Sequence, residues 1–467
     1  MSAALAVETT PVPGLLVLRL PLHEDARGWF KENWQRQKMV GLGLPDFEPV
    51  QQNVSWNTRR GATRGIHAEP WDKLVSVSGG RAFGAWVDLR EGASYGATFH
   101  VELTPETAVF VPRGVGNSYQ TLDDEVAYSY LVNDHWRPGI TYPALALDDP
   151  TAAIPWPIPL ADSEISEKDR QNPSLADAVR FPPRRTLVLG AQGQVGRALV
   201  GALDHADGAA RPGSGADLEL DLAVPGSWDV PWHDYDVVVN AAAYTAVDAA
   251  ETPEGRRTAW AVNAVAPAEL ARLSNEHRFT LVHYSTEYVF DGTVADHVES
   301  EQLAPLGVYA QSKAAGEVAV AAARRHYLLR TSWVVGDGGN FVRTMLRLAA
   351  GGVSPSVVTD QTGRLSFADE IARATDHLVT TGAAYGTYHV SNGGPVTSWH
   401  EVAARVFALA GRDVADVGET TTPEYSAGKE MAPRPMLSAF DLAKLRSTGF
   451  EPEDATVALE RYVRAAL

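Results

Sequence analysis

Three polar side chains crowd the stretch TRGIHAEPWDK: Arg64, His67 and Lys73. An imidazole beside two cations is a set that can take up a proton and hold the negative charge left behind. Farther on, Tyr130 in AYSYLVND offers an acid, and Asp169 in ISEKD offers a carboxylate able to orient the imidazole. These are the parts needed to move a proton next to a ketone: base, orienting carboxylate, opposed acid, and cations for the enolate. A lone histidine in a β-rich region is ordinarily structural, so this reading depends on the fold bringing the other four residues to it.

A second constellation lies downstream. In GVYAQSKAAGE, Tyr309 and Lys313 are four apart and share one face of a helix. An ammonium beside a phenol favours the phenolate and lowers its pKa towards the range of general acid–base work. TLVHYSTEYVFDG reads as a strand that ends at Ser285 and Thr286, and open α/β sheets bind ligands at the carboxyl ends of their strands. TLVLGAQGQVGRALV puts Gly190, Gly193 and Gly196 between an apolar run and a helix. Such a turn lets backbone approach a pyrophosphate while the helix N-terminus supplies N–H groups.

Gln194 and Val195 in that turn, Asp221 and Leu222, and the run Ala241, Ala242 and Ala243 complete the candidate dinucleotide site, to which Tyr309 and Lys313 also belong. In DGAARPGSGADLELDL, Arg211 precedes Asp217. An arginine there suits a 2′-phosphate and an acidic residue a free ribose, so NADPH is expected, with NADH tolerated.

Two kinds of scaffold must position these groups. Up to about residue 165 the chain is rich in Trp, Pro and Gly, with short β-type runs (KLVSVSGG, AFGAWVDLR, TFHVELTPE, AVFVPRG) between turn signals, which predicts a sandwich or barrel. From about 184, apolar runs alternate with Ala-rich helical stretches, which predicts βαβ units on a parallel sheet. The polar, Pro-bearing EKDRQNPSLADAVRFPPRR between them reads as a linker. The predicted division is 1–170, a linker 171–184, and 185–467, in keeping with a 467-residue chain too long for one core.

Composition narrows the partners. Apolar residues at 45% and charged residues at 21% are ordinary for a globular protein, and a net charge of -18 disfavours nonspecific binding to nucleic acid or anionic membrane. The absence of cysteine rules out disulfides, thiolate metal sites and a thiol nucleophile, and it fits a reducing compartment. MSAALAVETTPVPG carries no basic flank or sustained apolar core, and no run of about 18 apolar residues occurs, so a cytoplasmic protein with no membrane partner is expected.

From about 185 to the C-terminus the chain resembles the extended short-chain dehydrogenase/reductases, and within them the dTDP-4-dehydrorhamnose reductases. The motifs are GAQGQVG, NAAAYTAVDAAE, VNAVAPAELA, HYSTEYVFDG, VYAQSKAAGE, LLRTSWVVG and NFVRTMLRLA. The resemblance implies a Rossmann-type doubly wound parallel sheet with a small substrate-binding lobe. It implies Tyr309 as the proton donor to the C4 oxygen, Lys313 on the nicotinamide ribose, Thr286 on the reacting oxygen and Trp333 against the sugar. Glu287 stands where the family commonly has Asp, and it joins the substrate-binding set. Arg197 and Ala198 stand where some members have a metal-holding Glu, so no metal is expected there.

Residues 12 to about 170 resemble the dTDP-4-dehydrorhamnose 3,5-epimerases, an all-β cupin-like jelly-roll family. The resemblance is carried by HEDARGWFKENW, VQQNVSWNTRRGATRGIH, DKLVSVSGGRAFGAWVDLR, VFVPRGVGNSYQTL and ISEKD. It implies His67 as the base for C3 and C5 with Asp169 as its partner, Tyr130 as the opposing acid and Lys73 as the enolate cation. It also implies that Arg27, Glu32, Gln51, Asn53 and Arg64 contact a dTDP-sugar, and that the chain pairs as a homodimer through this half. Asn117 replaces a typical histidine, and His135 and Trp136 replace typical tyrosines. A cupin metal would need clustered His and Glu ligands, and no second histidine on the later strands matches His67 and Glu69, so no metal is expected here either.

Taken together, the resemblances imply 3,5-epimerisation of dTDP-4-dehydro-6-deoxy-D-glucose followed by NADPH-dependent reduction of C4 to dTDP-L-rhamnose. Two other readings stand beside this one: a reductase whose cupin half only dimerises, and a non-catalytic regulatory subunit that binds nucleotide-sugar or NADPH.

Overall fold

The computed structural model describes residues 4–135, 142–183, 185–216 and 218–467 and divides into two compact units, one up to Pro183 and one after it. Trp136, Arg184 and Asp217 lie outside the described residues.

The first unit is two facing sheets. Six strands run in the order Ala6–Thr9, Leu16–Arg19, Thr107–Val111, Lys73–Gly79, Val126–Val132, Gln51–Asn57, all antiparallel. Five strands form the other sheet: Glu164–Ile165, Ala62–His67, Val115–Thr121, Ala82–Asp88 and Thr98–Leu103. Val75, Val77 and Val109 from one sheet meet Trp86 and Tyr119 from the other in a buried core, the alternation expected when two inner faces interdigitate. Ile66, Val87 and Leu89 on the outer face of the five-stranded sheet are covered by Leu145, Leu147 and Leu175.

That cover corrects the reading of 171–184 as a free linker. Leu175, Ala178 and Phe181 are buried, Leu175 N donates to Asp149 Oδ2 at 2.7 Å, and Phe181 bridges to Arg90. The apolar residues spaced through this polar, proline-marked stretch need a surface to cover, and the sheet supplies one.

The second unit is built on a seven-stranded parallel sheet in the order Leu218–Glu219, Ala206–Ala210, Thr186–Leu189, Val237–Asn240, Thr280–Thr286, His326–Thr331, Gly386–His389. Its strands are nearly continuous apolar runs because helices cover both faces. Leu199 and Ile371, from helices Gln194–Ala202 and Ala368–Thr380, pack on one face, and Leu270 and Val320, from Ala266–His277 and Val308–Val320, on the other. The strand order reverses between Thr186–Leu189 and Val237–Asn240, and the crevice beyond the carboxyl ends at such a switch point is the usual ligand site. A separate core gathers helices Phe341–Ala350, Trp399–Leu409 and Ala455–Ala466 around Val342, Phe407 and Leu459. Among the described residues no helix is long and apolar enough to cross a membrane.

Candidate active sites

In the first unit, His67 closes the strand Ala62–His67, and Asp169 sits on the short helix Glu167–Arg170, capped by Ser166. His67 Nε2 lies 2.9 Å from Asp169 Oδ1 although 102 residues separate them. The histidine side chain keeps 32% of its surface exposed and the aspartate only 7%, so the imidazole can meet a ligand while its partner stays dry. Burial alone would raise the Asp169 carboxyl, but hydrogen bonds from His67, Ser166 and the Gly65 N–H outweigh it and leave the pKa below the usual value. A carboxylate held ionised beside an imidazole fixes the ring and favours its protonated form, which a base needs as it takes a proton.

Tyr130 projects from the opposite sheet, half-buried. Burial raises its phenol, the Glu69 carboxylate and Tyr119 add to the rise, and Arg64 opposes it. It thus stays protonated, as an acid must, and it lies within electrostatic reach of Arg64 and Glu69. Lys73 is buried, and its ammonium is held by the Glu69 carboxylate, four residues earlier. The expected enolate cation is therefore a neutralised pair, and its counter-ion, Glu69, lies two residues after His67.

The candidate sugar contacts are only partly gathered. Gln51 Nε2 donates to Asn53 Oδ1 at 2.8 Å, and Arg64 Nε to Asn57 Oδ1 at 3.3 Å, on the inward face of the strand Gln51–Asn57. Arg27 stands apart on a hairpin, 89% exposed and paired with Asp25, and Glu32 pairs with Lys38 at 2.6 Å. Neither is brought to His67 in the single chain.

Sequence reasoning missed the network behind the histidine. Asn117, opposite His67 in the ladder, accepts from Trp86 Nε1 at 2.9 Å and from Tyr128 Oη at 3.1 Å, while Tyr119 stacks on Tyr128 at 3.9 Å. The alternation Gln51, Asn53, Ser55, Asn57 in QQNVSWN was the available signal, a polar face turned inward at period two.

In the second unit, the turn between strand Thr186–Leu189 and helix Gln194–Ala202 has the geometry a pyrophosphate needs. Gly190 has φ +81°, and a side chain there would meet Ala242, while one at Gly196 would strike the Gly190 carbonyl. Gly193 caps the helix with no side-chain bond, so the first-turn N–H groups are not closed off by a cap. A depression beside the turn is lined by Gly190, Gly193, Arg211 and Leu222, among others. The residues present thus fit a dinucleotide. Gln194 does something else: its Oε1 accepts from the Gly336 N–H at 2.8 Å and from Asn340 at 3.2 Å. Asp221 is likewise spent locally, on the Ala223 N–H at 2.9 Å.

Adjacent to it opens a cleft of about 300 Å³ lined by Val195, Ala241, Ala243, Thr286, Glu287, Tyr309, Lys313 and Trp333, among others. The candidate catalytic set of this half therefore converges. Ser285 Oγ and Thr331 Oγ1, on neighbouring strands at its edge, are buried and have no partner among the described residues, which suits a polar ligand in the cleft. Trp333 is stacked on Trp399 at 3.7 Å, so a second indole, unforeseen in the sequence, backs the ring expected against the sugar.

The expected lowering of Tyr309 by Lys313 does not hold. Lys313 turns its ammonium to the Tyr284 carbonyl at 2.5 Å and to His283 Nε2 at 3.4 Å, and burial brings its own pKa down to about 8. Burial raises the Tyr309 phenol, Glu287 adds to the rise, and a hydrogen bond with Thr286 opposes it. The tyrosine is therefore a firmly protonated acid before any ligand arrives. Glu287 itself is 4% exposed and takes the Thr286 hydroxyl proton at 2.7 Å. Facing the same pocket, Tyr288 is raised by burial and stands before the Asp248–Arg434 pair, whose closest contact is 2.9 Å.

A β-domain organised for proton transfer is thus joined to a domain of the dinucleotide-dependent oxidoreductase class. Residues 9–177 match the family described as dTDP-4-dehydrorhamnose 3,5-epimerase, and residues 184–467 the RmlD substrate binding domain family. The chain belongs to both families, joined in tandem. It is 44% identical over 184 residues to a protein RmlC homolog of Streptococcus pyogenes, covering 38% of this chain and 92% of that protein. It is 36% identical over 296 residues to the dTDP-4-dehydrorhamnose reductase of Aggregatibacter actinomycetemcomitans, covering 59% and 97%. The crystal structure of a Bacillus anthracis dTDP-4-dehydrorhamnose reductase in complex with NADP is similar at 32% identity and TM-score 0.54, covering 60% of this chain and 99% of that one.

Proposed function

We propose that this chain is a bifunctional enzyme of dTDP-rhamnose synthesis: it epimerises dTDP-4-dehydro-6-deoxy-D-glucose at C3 and C5, then reduces the C4 ketone with NADPH to give dTDP-L-rhamnose. The observation that carries the reading is that each half keeps its own chemical core, the His67–Asp169 bond in one and the Tyr309–Thr286–Lys313 cleft in the other.

In the first half, the 2.9 Å His67–Asp169 bond supports His67 as the base that removes the C3 and C5 protons. The C4 carbonyl makes each abstraction feasible by spreading charge as an enolate. Tyr130, kept protonated by its surroundings, is the donor from the other face, and Lys73 with Glu69 lines the enolate side. Arg64, Asn53 and Gln51 are assigned to the nucleotide-sugar, and Arg27 and Glu32 join them once a second copy or the ligand draws their hairpin region in. The exposed Val54 and Trp56 on the edge strand Gln51–Asn57 favour a homodimer through this half, which light scattering tests.

In the second half, NADPH would be held by the glycine turn, with Arg211 at the 2′-phosphate and Ala241 to Ala243 along its length. The bound dinucleotide supplies hydride, and Tyr309 supplies the proton to the C4 oxygen. Lys313 would hold the ribose, and Trp333 would flank the sugar.

Incubating the protein with dTDP-4-dehydro-6-deoxy-D-glucose and NADPH tests the whole. NADPH oxidation without added epimerase, with dTDP-L-rhamnose identified by NMR, is the expected result. Oxidation only after a separate epimerase is added would reduce the first half to a scaffold, and no oxidation under either condition would leave a binding protein.

A further inference from the structure

Glu287 is a buried carboxyl with an unusual shortage of partners. Among the described residues no lysine or arginine pairs with it, and its side chain is met by the Thr286 hydroxyl at 2.7 Å and by its own backbone N–H. An ionised carboxylate in such a place loses its hydration without gaining a counter-charge, so the neutral acid is favoured. Burial is indeed the largest influence and pushes the group up to about 7. The charged and titratable groups around it are Tyr309 from the helix Val308–Val320 and Tyr288 from its own turn, with Asp248 and Arg434 behind Tyr288 and Lys313 in the same cleft.

Thr286 is the link. Its oxygen accepts from the Tyr288 N–H at 3.3 Å, its hydroxyl donates to Glu287, and it lines the same cleft as the Tyr309 phenol, whose rise it opposes. With Glu287 ionised, the threonine proton is committed to the carboxylate. With Glu287 protonated, the carboxyl donates to Thr286 and the threonine proton is free to face Tyr309.

We propose that Glu287 is the proton reservoir of the reduction, refilling Tyr309 through the Thr286 hydroxyl after each turnover. The proposal rests on the reductase reading above. As hydride reaches C4, the Tyr309 O–H bond breaks and its proton forms the new O–H bond on the sugar. The phenolate then takes the Thr286 proton, and the threonine oxygen takes the Glu287 proton, leaving a carboxylate. Both electrons arrive with the hydride; the one proton consumed comes from Glu287, which regains it from solvent when the cleft opens for product exchange. The longer carboxylate at a position where aspartate is usual is what lets the side chain fold back on to its neighbour's hydroxyl.

The test uses the full chain as wild type, Glu287→Gln and Glu287→Asp. Without substrate, difference infrared spectroscopy should show in the wild type a protonated carboxylic acid that titrates near neutrality, a band that Glu287→Gln removes. With pre-epimerised ketone and NADPH, the wild-type kcat should fall as pH rises through that titration. Glu287→Gln should keep its first turnover, lose about ten-fold or more in later turnovers at unchanged KM, and lose the pH limb. Glu287→Asp should restore part of the rate and of the limb. An unchanged kcat and pH profile in Glu287→Gln, an effect confined to KM, or a fully ionised carboxyl at neutral pH each overturns the relay. A wild type that oxidises no NADPH overturns the reductase reading and the relay with it, whereas failure of the relay alone leaves wild-type oxidation intact.

Discussion

The two halves set a carboxyl against a working group in opposite ways. Asp169 is buried but receives three hydrogen bonds, from His67, Ser166 and Gly65, and it is held ionised below its ordinary pKa. Glu287 is buried with only the Thr286 hydroxyl and its own backbone N–H as donors, and burial carries it up to about 7. The same functional group is thus an electrostatic anchor in one domain and a proton holder in the other. The difference is depth and charge: Glu287 lies deeper and meets no cation among the described residues, whereas Asp169 sits beside the His67 imidazole and the Gly65 N–H. A base that must become cationic is matched with a fixed anion, and an acid that must be refilled is matched with a neutral donor.

The sharpest way to break the comparison is to remove each half's proton-transfer group and see whether the other notices. Tyr309→Phe should depress NADPH oxidation by about 10²–10⁴-fold, the usual worth of a positioned acid. Solvent deuterium should still enter the 4-keto sugar, followed by NMR. His67→Ala should show the mirror image, with deuterium uptake lost to a similar extent and pre-epimerised ketone still reduced at the wild-type rate. Deuterium entering at the normal rate in His67→Ala would remove the histidine as base.

How far these sites were legible in the sequence follows the same division. Tyr309, Lys313 and Thr286 were readable because their chemistry is local: a helix fixes the four-residue pair, and a strand end fixes the hydroxyl. The parallel sheet was readable too, since buried strands between Ala-rich helices carry their own period. His67 and Asp169 could be paired only through a resemblance, because 102 residues separate them and no spacing encodes a 2.9 Å bond. The state of Lys73 and Lys313 was not readable at all. Each ammonium chooses between competing acceptors, Glu69 for one and the Tyr284 carbonyl for the other, and that choice is made by packing. The stretch after 170 misled for a related reason, since its polar tone hid three apolar residues spaced to cover a sheet.

Stability should carry the contrast as opposite slopes with pH. Glu287 has a folded pKa above its ordinary 4.5, so between there and about 7 the folded chain holds a proton the unfolded chain has released. Stability from this group is therefore fully present below 4.5 and lost as pH rises to about 7. Glu287→Gln removes the loss, and its unfolding free energy relative to wild type should climb across that window by an amount on the order of 3 kcal/mol, then level off. Asp169, with a folded pKa below 3.8, contributes stability that is present above 3.8 and lost as pH falls through the folded value, so Asp169→Asn should lose its disadvantage only in acid. Denaturant unfolding of both variants across pH 3 to 8 measures the two slopes; parallel curves would erase the distinction.

The smallest effect tests whether the anchor acts on the base or merely on the fold. In Asp169→Asn the amide can still meet His67, but it can no longer favour the imidazolium, so deuterium uptake should fall by about ten-fold, the lower end for a hydrogen bond to a charged group. The loss should be largest in kcat, because the imidazolium exists only after the proton has moved, and binding of the ketone precedes it. A loss confined to KM would mean that Asp169 only shapes the pocket, and the carboxylates of the two halves would then differ in protonation without differing in purpose.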